Sequence, residues 1–248
     1  MDHETYRSLY KSLNTRRDLE RLIRRTSHDE ELLTVIYTQR VVREATKGFY
    51  KVKRHSRRLR HQWHQGISFV ELARRRNFPP ILLALLVLGE EGISRKRFWK
   101  MVKDVNSVGD ARLRRDLREA NEEDLIYSPA GTERQYQRGA WGEGRLWEWL
   151  DAQGIPFRKE AELRNRYEKT PDALLQNPLE LDGRRIQWIE SKASFGDPYE
   201  VRRHIRRQLS PYVDLFGEGM VVYWFGFVED VELRIPDGVL ITDDRPFS

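Results

Sequence analysis

Residues 169–196 read KTPDALLQNPLELDGRRIQWIESKASFG, and the fold of the second half turns on this stretch. Two apolar runs flank Asp182-Gly183, a pair favoured in tight hairpin turns, so two neighbouring strands are expected. The second run carries Ile186, Trp188 and Ile189 and ends in Glu190, Ser191 and Lys192. Side chains alternate along a strand, which puts Glu190 and Lys192 on one face and Ser191 on the other. Asp172 follows a Thr-Pro pair at the start of the first run. If that strand lies beside the second, two carboxylates and one ammonium converge. Two carboxylates alone repel; a divalent cation, which prefers oxygen ligands, relieves this. A lysine beside it orients or helps deprotonate a water, which is the chemistry of metal-assisted phosphodiester cleavage. The spacing also allows a structural reading, with Glu190 and Lys192 as an ion pair and Asp172 as a turn residue.

The pattern Asp172…Glu190-Ser191-Lys192 resembles the signature of the PD-(D/E)xK nuclease superfamily. The wording KTPDALL, WIESKASFGD and GMVVYWFGF further resembles one branch, the TPD-motif proteins of archaea and their eukaryotic relatives, the codanin-interacting nuclease family. The resemblance covers most of the chain. It implies a restriction-endonuclease-like core and a DNA endonuclease in which Asp172 and Glu190 bind Mg²⁺ or Mn²⁺. A Ser191 carbonyl is a plausible added ligand, since such sites accept backbone oxygens. Lys192 is then expected to position the attacking water and to stabilise charge developing on the phosphoryl oxygens. A glutamate from the first core helix often joins the metal site in this superfamily, and the resemblance carries that role to Glu143. The alternative for Glu143 is an acid stabilised by the helix dipole. Gln208 and Tyr212 match a QxxxY spacing similar to that of RecB-like nucleases, and residues four apart share a helix face.

Composition sets limits on this reading. The chain has 248 residues, with 45 Lys plus Arg against 39 Asp plus Glu, a formal net charge of +6. That excess suits an anionic partner, with nucleic acid, chiefly DNA, as the expectation. Zero cysteines exclude disulfides, thiolate zinc sites and cysteine nucleophiles. With three methionines and 34% charged residues, the composition fits a heat-adapted intracellular protein. The N-terminus lacks an apolar signal core, and the longest apolar run, Ile81 to Leu88, is too short to span a bilayer. A soluble, cytoplasmic protein without a membrane partner is expected.

The first half reads as helical throughout. Thr5 to Arg25 predicts one basic amphipathic helix, and Ser27 or Asp29 caps the next, through Leu32, Leu33, Ile36 and Val41. The stretch KGFYKVKRHSRRLRHQWHQG that follows packs Lys51, Lys53, Arg54, Arg57, Arg58 and Arg60 together, a candidate phosphate-binding cluster. His55, His61 and His64 lie within it, but their spacing matches no zinc motif, so a solvated or phosphate-facing helix is expected. Residues 68–88 have a helix–turn–helix pattern: a Ser68/Glu71 capping box, a turn at Asn77-Phe78, and Pro79-Pro80 opening a second helix. That second helix is apolar on every face, whereas a major-groove reader needs polar side chains. It is expected to be buried. Helices at Arg95–Val102 and Asp110–Ala120 follow.

Ser128-Pro129-Ala130-Gly131 reads as a linker, giving an all-helical part at 1–127 with the helix-turn-helix-like unit and a nuclease part at 128–248. In the latter a helix ending near Leu150 precedes a strand from Phe157 to Leu163, the central hairpin, and a helix from Tyr199 to Phe216. That helix carries Arg202, Arg203, Arg206 and Arg207, a second candidate nucleic-acid-binding cluster, and Pro211 is expected to kink it. A strand from Met220 to Phe227 and a hairpin of Val231–Ile235 with Val239–Thr242 close the chain. The fold class is α/β with a mixed sheet. The leading expectation is a DNA endonuclease selective for structure (flap, junction or single strand) rather than sequence. The competing one is a catalytically silent nucleic-acid-binding or protein-adaptor module; RNA, a protein partner and a homodimer stay open.

Overall fold

A computed structural model describes residues 1–181, 183–230 and 235–247. The helices in chain order are α1 (His3–Ser12), α2 (Arg16–Arg25), α3 (Glu30–Lys53), α4 (Ser56–His64), α5 (Phe69–Arg76), α6 (Pro80–Gly89), α7 (Arg95–Lys103), α8 (Ala111–Glu123) and α9 (Pro129–Ala152). Strand β1 (Phe157–Lys159), a short α10 (Glu160–Leu163), β2 (Ala173–Leu181) and β3 (Arg184–Lys192) follow. Then come α11 (Pro198–His204), a π turn (Ile205–Leu209), α12 (Ser210–Phe216), β4 (Gly219–Tyr223) and β5 (Val239–Thr242). The chain divides into two compact units. One is Met1–Ser12, His28–Ile36 and Gln137–Ser248; the other is Leu13–Ser27 and Tyr37–Tyr136.

Several expectations are corrected by local chemistry. The single helix expected at 5–25 is two, because Thr15 caps α2 in a reciprocal box with Asp18. Helix α3 runs on through Lys53, so KGFYKVK is helix rather than the start of a separate segment. The Ser128–Gly131 stretch is no linker. Ser128 Oγ accepts from the Gly131 N–H, Pro129 occupies the first helical position, and α9 starts there. Gly131 is required because a Cβ would lie 2.5 Å from the Leu125 carbonyl oxygen.

In the helical unit, Ser68 caps α5, Asn77 takes the left-handed conformation at its end, and Pro80 opens α6. Ile81, Leu83, Ala84, Val87 and Leu88 of α6 are buried, as the all-round apolarity required. Burial of side chains of this size stabilises by roughly 1.5–3 kcal/mol each.

The second unit holds a five-stranded sheet in the order β1-β2-β3-β4-β5. The first two pairings are antiparallel and the last two parallel, so the sheet is mixed. Only Phe157–Lys159 of the strand expected at 157–163 is extended; Glu160–Leu163 is helical. The register of β2 on β3 shifts between Leu174 and Leu179. Pro178 lies in that interval and cannot donate to a ladder. Helix α9 covers one face of the sheet through Leu146 and Leu150, against Ile189, Met220 and Val222. Helices α11 and α12 cover the other through Val201, Leu209 and Tyr212, against Trp188, Val221 and Tyr223. Strand β4 stops at Tyr223 rather than Phe227, which instead bridges to Gly196. Of the closing hairpin, Val239–Thr242 is β5 and pairs in parallel with β4, while residues 231–234 lie outside the described residues, as does Asp182.

Pro211 follows a local irregularity in the 198–216 helix. The turn before it widens, and the Ser210 N–H reaches back five residues to the Ile205 carbonyl.

Candidate active site

Strand β2 ends its pairing with β3 at Ala173–Ile189. One residue further out, the Asp172 carboxylate takes over: its Oδ2 accepts the Ser191 N–H at 2.8 Å. The Thr170-Pro171-Asp172 corner is held from both sides. The Tyr212 hydroxyl donates to the Thr170 carbonyl at 2.8 Å, and the Trp147 indole N–H donates to the Asp172 carbonyl at 3.1 Å. The N–H and C=O of a residue in an extended strand point to the same edge, so the Ser191 carbonyl also lies on the Asp172 side.

Glu190 and Lys192 share a face, and the Lys192 Nζ is ion-paired with Glu190 Oε1. Glu190 is only 2% exposed, and its Oε2 has no hydrogen-bond partner among the described residues. A buried charge pair with one oxygen unsatisfied is a poor structural device, because desolvation offsets the Coulomb attraction unless the remaining lone pairs are met. Burial raises the Asp172 carboxyl well above the usual carboxylate range, with Glu190 repelling it further and Lys192 and the Ser191 N–H opposing. Glu143, half-buried on α9, is raised by burial, then by Glu160 and Glu190, with Lys192 opposing. Asp172, Glu190, Lys192 and Glu143 thus feel one another electrostatically.

The donor set fits a hard divalent cation: carboxylate oxygens, one of them orphaned, raised carboxyls, and a backbone carbonyl nearby. Among the described residues no three His, Cys, Asp or Glu side chains gather closely enough to cage a metal ion by themselves. A cation here would therefore draw on Asp172 and Glu190 first, and on backbone oxygen or a shifted Glu143 after.

Tyr212 lies beside these groups, and burial followed by Glu190 and Asp172 pushes its hydroxyl pKa up. Gln208 stands half-buried on the π turn and makes no side-chain hydrogen bond to Asp172, Glu190 or Lys192 among the described residues. Ser191 points to the opposite face, where its Oγ accepts the Trp224 indole N–H at 2.8 Å.

Other neighbours were not found from sequence. Tyr223 pairs in register with Lys192, and its hydroxyl is hydrogen-bonded to His204 Nδ1 at 2.9 Å. His204 is buried, and burial, then Lys192, Arg203 and Arg207, drive its pKa down to about 3. Its one sequence signal is its place on the apolar stripe with Val201, inside an arginine-rich helix.

The basic clusters are partly neutralised. Arg57 and Arg60 pair with Glu90 and Glu91, while Lys53, Arg54 and Arg58 are exposed without an ion pair among the described residues. Arg203 pairs with Glu200 at 2.5 Å, leaving Arg202, Arg206 and Arg207 exposed. His55, His61 and His64 form no cluster: His55 bonds the Lys51 carbonyl, His61 meets Gln65, and His64 meets Glu91. No helix among the described residues is long and apolar enough to cross a membrane.

A family model described as "Protein of unknown function TPD sequence-motif" matches residues 109–245, the span that carries this site. The chain belongs to the TPD-motif family. The Danio rerio protein named CDAN1-interacting nuclease 1 is 32% identical to this TPD-motif chain over 185 residues, covering 71% of the chain and 62% of the relative. The Mus musculus protein of that name is 31% identical over 185 residues, covering 71% and 66%. The Homo sapiens protein is 31% identical over 180 residues, covering 69% and 64%. The TPD-motif chain spans about two thirds or less of the length of these relatives. No solved structure matches it.

Proposed function

We propose that the chain is a metal-dependent DNA endonuclease of the PD-(D/E)xK type, hydrolysing phosphodiester bonds selected by DNA structure rather than sequence. The observation that carries this reading is the buried Glu190, with one oxygen on Lys192 and the other orphaned, beside the raised carboxyl of Asp172. Asp172, Glu190 and the Ser191 carbonyl would hold Mg²⁺ or Mn²⁺, with Glu143 on the flank. The cation supplies a Lewis acid for the phosphoryl oxygens and a more acidic water.

The protein groups do the rest. Lys192, fixed by Glu190, places a positive charge where the scissile phosphate gains negative charge, and it orients the attacking water. Tyr212 and Trp147 keep the Thr-Pro-Asp corner in place, so that the Asp172 carboxylate does not swing away. Arg202, Arg206 and Arg207 offer contacts to the phosphate backbone, which position without reading sequence. Structure selectivity follows from the buried, apolar α6, which offers no polar row to base edges. The curated relatives carry the word nuclease in their name and are named for a protein partner. Nuclease activity and a protein partner are extended to this chain on that basis.

The test is cleavage of labelled single strand, duplex, flap, splayed arm and four-way junction with Mg²⁺ or Mn²⁺, with EDTA controls. Cutting should need metal and vanish in Asp172→Ala and Lys192→Ala. Wild-type rates in Asp172→Ala would overturn the site assignment. Binding unchanged in EDTA, with no substrate cut under any condition, would leave a nuclease-fold adaptor.

A further inference from the structure

Helix α9 brings more than Glu143 to the sheet. At Gly142 the helix backbone comes so close to β3 that a Cβ would lie 3.0 Å from Ser191 Oγ and 2.8 Å from the Trp224 ring. The residue before it, Trp141, is a large aromatic left 45% exposed. Its ring is fixed from beneath, edge-on to Trp224 at 5.8 Å and tilted against Phe225 at 5.9 Å. The Arg145 guanidinium lies over both indoles, 5.8 Å from the Trp141 ring and 5.4 Å from that of Trp224. Arg145 has no carboxylate partner among the described residues.

Trp141 thus offers an exposed ring, packed on the buried Trp224 and the half-buried Phe225, with the half-buried Arg145 beside it. The packed rings are joined to the candidate active site by a short chain of contacts: the Trp224 indole N–H to Ser191 Oγ, and the Ser191 N–H to Asp172. An exposed ring held by other rings loses little entropy when it stacks. A base–aromatic stack is sequence-tolerant because every base presents a π face. A guanidinium beside it suits the phosphate attached to that base. A base paired within a duplex presents only its edge, so the surface fits an unpaired one.

We propose that Trp141 and Arg145 form a binding site for an unpaired nucleobase and its phosphate, as in single-stranded DNA, on the α9 side of the sheet. The proposal deepens the nuclease reading and rests on it for its place in catalysis, but binding is measurable without cleavage. Trp141 and Arg145 determine which DNA structure is taken, and Trp224 positions them.

The experiment is fluorescence anisotropy in EDTA with the full chain and a short labelled single-stranded DNA, either intact or with an abasic site stepped along it. Trp141→Ala should weaken binding of the intact strand by about tenfold, and Trp141→Phe by much less, since Phe still stacks. At one abasic position the wild type should lose a similar factor, whereas Trp141→Ala should lose nothing more. A mere folding defect would not produce that coupling. Arg145→Gln should weaken the strand and flatten the salt dependence of binding. Equal affinity of Trp141→Ala and wild type, or losses that simply add at every abasic position, would overturn the proposal. Failure of the nuclease reading shows itself differently: the coupling would be present, yet no substrate would be cut with Mg²⁺.

Discussion

Two glycines flank Glu143 on the same helix, and they predict opposite outcomes for the same substitution. At Gly144 nothing lies within 4 Å of an added Cβ, whereas at Gly142 the Cβ would press on the Trp224 ring at 2.8 Å and on Ser191 Oγ at 3.0 Å. Replacing glycine by alanine inside a helix gains roughly 0.5–1 kcal/mol from backbone entropy at either position. Gly144→Ala should realise that gain. At Gly142 the indole cannot swing aside without breaking its hydrogen bond to Ser191 and its packing on Phe247, whose ring centroid is 5.2 Å away. Overpacking of this kind costs about 1–3 kcal/mol. The entropy gain is common to both variants, so they should differ by about the overpacking cost, 1–3 kcal/mol, with Gly142→Ala the less stable. For a chain of this size each kcal/mol moves the melting temperature by roughly 2–4 °C. Thermal melts followed by near-ultraviolet circular dichroism would measure the gap. Cleavage should fall in Gly142→Ala, where α9 and Glu143 are pushed off β3, and hold in Gly144→Ala. Equal melting temperatures, or a more stable Gly142→Ala, would refute the placement of α9 against Ser191, and with it the place given to Glu143.

Two further tests use buried groups beside the site. His204, with a pKa near 3 against an ordinary 6.5, stays neutral in the fold while the unfolded chain takes up a proton across that window. Its contribution is therefore fully present above pH 6.5 and is lost, at up to about 1.4 kcal/mol per pH unit, as pH falls toward 3. Urea midpoints across the window should slope less steeply in His204→Gln than in wild type; identical slopes would rule out a neutral buried imidazole. Tyr212→Phe removes the donor to the Thr170 carbonyl and should cost about 1–3 kcal/mol. It should also lower the cleavage rate by loosening Asp172, and an unaltered melting temperature would argue against that hydrogen bond.

The parts of the molecule that were legible in the sequence are those set by near neighbours. The β2–β3 pair follows from alternation and a turn dipeptide, and Glu190 and Lys192 fall on one face because they stand two positions apart. The Ser68 cap and the burial of α6 are similarly local. Tyr212, singled out by a resemblance, donates to the Thr170 carbonyl. What escaped depends on partners distant in the chain. Ser128-Pro129-Ala130-Gly131 has the composition of a linker, yet Ser128 caps, Pro129 opens, and Gly131 lets the helix pass Leu125. The His204–Tyr223 bond joins residues nineteen apart, across the crossover from α11 to a parallel strand. Trp147 is 25 residues from the Asp172 carbonyl it holds. No periodicity within one element encodes such meetings. The arginines show the converse: similar in sequence, Arg203 and Arg206 differ because only the former has Glu200 one turn before it.

The π turn at Ile205–Leu209 works as a phase adjustment. An α-helix advances each side chain by about 100°, so one extra residue held in a widened turn rotates everything downstream by about that angle relative to α11. Arg202 and Val201 are thus set by one rotation and Tyr212 by another. Were the turn to tighten into regular α-helix, the position now beneath Thr170 would pass from Tyr212 to a neighbour. Deleting one residue from 205–209 would therefore let the turn close into regular α-helix with both ends keeping their present rotations, whereas tightening it at full length would uncouple the arginine-bearing end from the end that steadies Asp172.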